Sequence, residues 1–276
     1  RKGGSVVLSD ITIGQFFPGK SVVHRMDPRM KLILIVAFIV VLFVVRNAFS
    51  FLLLTLCLGI IFAIAKIPGK AIWRGVKPIL PLILFTAILN IFFVDGNTLV
   101  SFWIFRITDA GLKTAALMAI RIVLLIVGSS LLTYTTSPIA LTDAIERLFK
   151  PLKVIHFPVH EMAMMMTIAL RFIPTLLEET DKIMSAQKAR GADLETGGIL
   201  KRAKALIPIL IPLFVSAFRR AEELALAMEC RCYRGGEGRT RMKQLHLSTL
   251  DWISGSIVAL VFVIAIIMNL FLPGTL

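Results

Sequence analysis

Apolar residues fall in long blocks, not in the two-residue alternation of strands. Residues 32–45 are an unbroken apolar run, and residues 252–272 carry no charge. Blocks of this length and purity predict membrane-spanning helices. Five are read, at about 30–45, 49–65, 79–94, 112–132 and 252–272. Sixteen helical residues reach only about 24 Å against a bilayer core of about 30 Å. The first three spans are therefore expected to extend into their flanks or to thin the bilayer. Arg46 and Asn47 should form a tight turn, Pro68 and Gly69 should end the second span, and Pro78 and Pro81 should open the third. Trp73, Trp103 and Trp252 fall near the predicted membrane surfaces, where indoles concentrate.

Between the fourth and fifth spans the pattern changes. Residues 134–247 show helical periodicity with apolar stripes and read as three helices, at about 138–155, 159–190 and 199–233. Thr136-Ser137-Pro138 supplies a cap and an early proline for the first, and Lys150-Pro151 kinks or breaks it. Gly191 stops the second and Gly235-Gly236 the third. Pro174 interrupts the second, Pro208 and Pro212 the third; each prolyl ring removes a backbone hydrogen bond and bends the axis. Residues 205–218 are apolar but bounded by Lys204 and by Arg219-Arg220. At this length they read as an interfacial or bundled helix, with an extra pair of spans as the alternative.

Composition narrows the class. Of 276 residues, 57% are hydrophobic and 17% charged, against about 25% charged in soluble domains. A soluble domain and a disordered chain are both excluded, leaving an all-α integral membrane protein. The net charge of +14 would suggest nucleic acid in a soluble protein. Here the basic residues alternate by segment: six in 1–31, four in 66–77, seventeen in 134–247 and four elsewhere. That distribution predicts a cytoplasmic N-terminus, 66–77 loop and 134–247 region, with residues 273–276 outside, and no nucleic-acid partner. The sequence begins at Arg1, so a start upstream is expected. Residues 1–31 lack the apolar core of a signal peptide.

Candidate chemistry is sparse. The chain has no Walker phosphate loop, no GxGxxG and no His/Cys cluster at metal-ligand spacing. His156 and His160 are four apart, but Pro158 breaks the face between them, which favours surface or capping roles. Cys230 and Cys232 are separated by one residue, unlike zinc ligands, and with Cys57 read as free thiols. No catalytic residue, metal or bound cofactor is expected. Met162, Met164, Met165 and Met166 are either bundle filler or an adaptable contact surface. Arg190, in Lys188-Ala189-Arg190-Gly191, and Arg231, in Glu229-Cys230-Arg231-Cys232-Tyr233, each close a long helix. A helix dipole accounts for either cation alone. It does not account for two long proline-bearing helices that both end in a small-Arg-small triplet. Small neighbours let a guanidinium enter a cleft, where its planar fork suits carboxylates or carbonyls of a partner.

The order of motifs resembles the transmembrane T component of energy-coupling factor (ECF) transporters, the EcfT and CbiQ-like family of prokaryotic micronutrient importers. The resemblance runs through GQFFPGKS at 14–21, HRMDPRMKL at 24–32, LLTYTTSP at 131–138, LRFIP at 170–174, AQKARG at 186–191 and AME at 227–229. Arg190 matches the first of the family's two Ala-Arg-Gly-like motifs completely. In the second, Arg231 and Tyr233 match, while Cys230 and Cys232 replace Ala and Gly. The resemblance implies a cytoplasmic N-terminal segment (1–29), four membrane helices (30–133), a coupling domain (134–247) and a fifth membrane helix (248–276). It implies a multi-pass protein of the plasma membrane that couples two ATP-binding-cassette ATPases, which hold the ATP and Mg, to a substrate-binding S component. Arg190, Arg231, Ala189, Gly191, Cys230 and Cys232 would contact the ATPases. Met162, Met165, Met166 and Phe172 would receive the S component, and vitamin or micronutrient uptake would follow. A dedicated cobalt or nickel importer and an ordinary ABC permease remain alternatives. A permease holding its own substrate path predicts polar residues along several spans, and this chain offers few, Asn90, Arg121 and Asn269. A lone channel or a scaffold unrelated to transport is the third class.

Overall fold

A computed structural model describes residues 16–94, 98–102, 105–192, 198–235 and 246–271. Gly14, Gln15, Trp103, Gly236 and residues 273–276, all named above, lie outside the described residues. The elements in chain order are α1 (Val22–Arg25), α2 (Pro28–Val44), α3 (Ala48–Ala65), α4 (Gly69–Val76), α5 (Leu80–Phe93), β1 (Thr98–Phe102), β2 (Phe105–Thr108), α6 (Asp109–Thr135), α7 (Pro138–Phe149), α8 (Val159–Ala189), α9 (Ile199–Cys230) and α10 (Thr249–Phe271). The all-α membrane class holds. Its departure is an antiparallel hairpin, in which Val100 pairs with Ile107 and Phe102 with Phe105.

Every expected span is a helix. Among the described residues, four segments are long and apolar enough to cross a membrane: Ala48–Ala65, Gly69–Phe93, Asp109–Thr135 and Thr249–Phe271. The first expected span, α2, has 17 residues. The third is longer than its sequence pattern indicated. Helix α4, a 3-10 turn at Lys77–Ile79 and α5 run on as one 25-residue segment. Pro78 and Pro81 do not interrupt it, because each stands in the first two positions of its element, where no backbone donor is needed. The second span ends at Ala65, where Lys66 turns left-handed (φ 54), rather than at Pro68.

The described residues fall into two compact units, within Gly14–Ala144 plus Lys243–Leu276 and within Ile145–Met242. In the first, α2, α3, α6 and α10 pack around Leu42, Phe51, Leu54, Leu124 and Phe262. Gly128 allows the tightest approach, since a Cβ there would stand 2.4 Å from the Phe38 ring. At one end of this bundle, Arg121 donates to the Val45 carbonyl at 2.8 Å and lies over the Phe51 ring. Asn269 accepts from the Arg46 N–H at 2.8 Å and donates to the Val44 carbonyl at 3.3 Å, and Asn47 caps α3.

At the other end, two of the sequence motifs meet. Lys31, buried, donates to the Thr135 carbonyl at 2.9 Å and to the Thr136 hydroxyl at 3.2 Å. Tyr134 accepts from the Phe17 N–H at its carbonyl and donates its hydroxyl to the Ala71 carbonyl, both at 3.0 Å. Buried Asp251 accepts from the backbone N–H of Asp27 at 2.8 Å and of Ser248 at 2.7 Å. His24 reaches the Phe17 carbonyl at 2.9 Å, and a Cβ on Gly19 would strike its ring. Residues of the 14–32 and 131–138 motifs thus satisfy one another's buried polar groups, which an apolar surrounding requires.

Candidate coupling site

The second unit is built on α8 and α9. Pro174 lies within α8, Pro208 and Pro212 within α9, and both helices continue through them. Pro212 has no N–H, so the Pro208 carbonyl lacks its usual helical partner. The Gln187 side-chain amide of α8 approaches that carbonyl at 3.4 Å. A second clamp is ionic. The Ser216 hydroxyl and Arg220, one turn apart on α9, both donate to Glu179 on α8, Arg220 at 3.0 Å. The Ser216 hydrogen bond, then Arg220, holds the Glu179 carboxyl below its usual pKa range. Glu179 pairs with 216–220 and Gln187 with 208, so the two helices run antiparallel.

Both helices end in the same cap. At the end of α8, the Gly191 N–H donates to the Lys188 carbonyl and the Ala192 N–H to the Gln187 carbonyl, each at 3.0 Å. At the end of α9, the Cys232 N–H donates to the Glu229 carbonyl at 2.8 Å and the Tyr233 N–H to the Met228 carbonyl at 3.0 Å. These are two Schellman motifs with left-handed residues at Gly191 (φ 85) and Cys232 (φ 57). Cys232 thus takes the same place in its cap as Gly191 does in the other. Arg190 and Arg231 are the C-cap residues. Both are exposed, and neither side chain has a partner among the described residues. Ala189, Cys230 and Cys232 beside them are exposed as well. The antiparallel register sets the arginines at opposite ends of the helix pair, about 35 Å apart at 1.5 Å per residue.

The residues of the expected contact face differ in exposure. Met162, Met165 and Met166 are exposed on α8, whereas Phe172 is half-buried. The larger apolar face belongs to α9: Ile207, Ile211, Phe214 and Phe218, spaced to share one side, are 49–68% exposed. Periodicity showed that band, but spacing alone does not tell which side a neighbour covers. The clamps at Glu179 and Gln187 were not foreseen, since the sequence carries no signal for cross-helix polar pairing.

The remaining candidates have local roles. His160, in the first turn of α8, pairs with Glu146 of α7 at 3.0 Å, while His156 is exposed and left-handed (φ 58). Cys57, Cys230 and Cys232 are free thiols. In the spans, Asn90 donates to the Thr86 carbonyl at 2.8 Å. Arg121 and Asn269 tie helix ends as described. All three polar side chains are thus engaged with backbone groups.

Residues 19–242 match the CbiQ family, described as cobalt transport protein. A Ruminiclostridium cellulolyticum relative named energy-coupling factor transporter transmembrane protein EcfT is 54% identical over 245 residues, spanning 89% of this chain and 92% of its own. A Clostridium kluyveri protein of the same name is 54% identical over 259 residues, 93% and 96% of the two chains. Its Acidaminococcus fermentans namesake is 48% identical over 268 residues, covering 97% of this chain and all of the relative.

Proposed function

The chain belongs to the CbiQ family, and from that membership and its two matched arginine ends we propose that it is the transmembrane T subunit of an ECF importer, carrying motion from two ATPases to one S component. It is a membrane protein. The observation that carries the coupling role is the pair of identical caps presenting Arg190 and Arg231 at opposite ends of one clamped helix pair. Two exposed guanidinium forks about 35 Å apart suit two separate partner clefts better than one. Each cleft would close around its arginine and the small residues beside it: Ala189 and Gly191 at one end, Cys230 and Cys232 at the other.

Closure of two nucleotide-binding subunits would then displace the two ends of the strut. The Glu179, Ser216 and Arg220 clamp and the Gln187 contact keep α8 and α9 from sliding independently. Displacement would therefore reach the exposed apolar faces, Met162, Met165 and Met166 on α8 and Ile207, Ile211, Phe214 and Phe218 on α9. Exposed apolar area of this kind marks a protein or lipid contact, and the S component is the proposed occupant. Motion of packed helices against that occupant is a shear-type transmission.

ATP and Mg would reside on the ATPases, and the imported micronutrient on the S component. The EcfT relatives favour this reading over a dedicated metal importer. The backbone-engaged Asn90, Arg121 and Asn269 disfavour a permease with its own polar path. The basic segments favour a cytoplasmic N-terminus in this reading. Affinity purification of the tagged chain tests the assembly: two ATPase subunits and one small membrane protein should co-elute. Elution alone, or with a single soluble partner, would refute it.

A further inference from the structure

The basic segment 66–77 reads in the sequence as an orientation signal, but in the structure it is a helix with three distinct faces. One face of α4 meets α6: the Ala71 carbonyl accepts from Tyr134, and a Cβ on Gly75 would lie 3.4 Å from the Tyr134 hydroxyl. The second face, with Ile72, Trp73 and Val76, joins Leu80, Val123 and Val127 around an apolar groove of about 490 Å³. That volume is within the roughly 300–1,000 Å³ of small-molecule sites. The third face carries Lys70, Arg74 and Lys77, all exposed and without side-chain partners among the described residues. No Asp or Glu occurs between Asp27 and Asp95. Trp73 lies between the groove and the basic face and is 61% exposed.

An uncompensated basic ladder beside an apolar groove, with an indole at their border, complements an amphiphile with an anionic head. We propose that α4 and the groove bind one anionic glycerophospholipid. An acyl chain would lie between Ile72 and Val76 on one side and Val123 and Val127 on the other. The phosphate would be held by Lys70, Arg74 and Lys77, Arg74 offering two parallel donors. Trp73 sits at headgroup depth, where indoles concentrate. This site goes beyond the coupling role and does not depend on it.

The test uses the full chain with Trp103→Phe and Trp252→Phe, so that Trp73 reports alone. It is reconstituted in phosphatidylcholine vesicles containing a minor fraction of dibrominated phosphatidylglycerol or of dibrominated phosphatidylcholine. The glycerol lipid should quench Trp73 more strongly. Lys70→Gln, Arg74→Gln and Lys77→Gln should each lower that preference about fivefold, the weight of one basic side chain near an anionic surface. Val127→Phe, which fills the groove, should weaken quenching with the charges intact, and size-exclusion profiles check folding of each variant. Equal quenching by the two lipids would overturn the proposal. So would competition by water-soluble glycerol phosphate, which would mark a free-phosphate site. Loss of quenching when the partner subunits are added would give the groove to a protein and likewise overturn it.

Discussion

Cys232 takes the left-handed backbone conformation at the end of α9 that Gly191 takes at the end of α8, each one residue after the exposed arginine. For a residue with a Cβ this conformation costs about 1–2 kcal/mol. At Gly191 a Cβ would meet nothing within 4 Å, so any penalty there is torsional. Cys232→Gly should therefore raise the thermal midpoint of the purified protein slightly, its gain partly offset by the freer unfolded chain. Gly191→Ala should destabilise by about 1–2 kcal/mol. An unchanged midpoint for Gly191→Ala together with a lower one for Cys232→Gly would show that the turn is not what places the arginines.

The apolar faces of α8 and α9 are predicted to receive the S component. An unpaired charge buried in an apolar contact costs several kcal/mol. Met165→Glu or Phe214→Glu should lose the S component in a pull-down while keeping the ATPases. Loss of both partners would indicate misfolding, and retention of the whole complex would move the interface elsewhere.

The clamp between α8 and α9 should depend on acid. The Ser216 hydroxyl, then Arg220, depresses the folded pKa of Glu179, so its stabilisation is present above the unfolded value of about 4.3 and fades as pH falls through the folded value. Glu179→Gln should lower the thermal midpoint at neutral pH, with the difference from wild type shrinking in acid. A pH-independent difference would mean that the ionised carboxylate is not what joins the helices. The effect is small, because the pair is partly solvated.

The distribution of basic segments predicts a cytoplasmic N-terminus and an odd number of crossings. With native cysteines removed, a cysteine at Thr275 should react with an impermeant thiol reagent in intact cells. Reaction only after lysis would reject an odd number of crossings.

The long helices were legible because their apolar blocks are long, but a glycine marked the end of only one coupling helix: α9 stops at Cys230, with Cys232 left-handed, and not at the expected Gly235-Gly236. Gly191 marked the end of α8, and Lys150-Pro151 marked where α7 gives way to a 3-10 turn at Lys150–Ile155. Helix α4 was not legible: its eight residues, Gly69–Val76, offer two turns of periodicity, and the cations around them read first as topology. The strands Thr98–Phe102 and Phe105–Thr108 are too short to separate from an apolar run by alternation. At the coupling site, Arg190 and Arg231 stood out by their matched neighbours. Their placement at opposite ends came only from the antiparallel pairing of Glu179 with Ser216 and Arg220, which is tertiary.

The central claim is that each arginine engages its own ATPase. Truncating one partner of a buried, hydrogen-bonded charge pair costs about 2–5 kcal/mol, and losses at two separate contacts should add. Arg190→Ala or Arg231→Ala alone should weaken assembly and transport, with Lys at either site only partly restoring them. The measurement is ATP-dependent uptake in proteoliposomes, with ATPase copurification, for the Arg190→Ala/Arg231→Ala double variant. The account predicts that uptake and copurification are both abolished while the spans insert normally and the free S component still binds substrate. A double variant that keeps its ATPases and transports at the wild-type rate would contradict it, and would leave both arginines as helix-end charges.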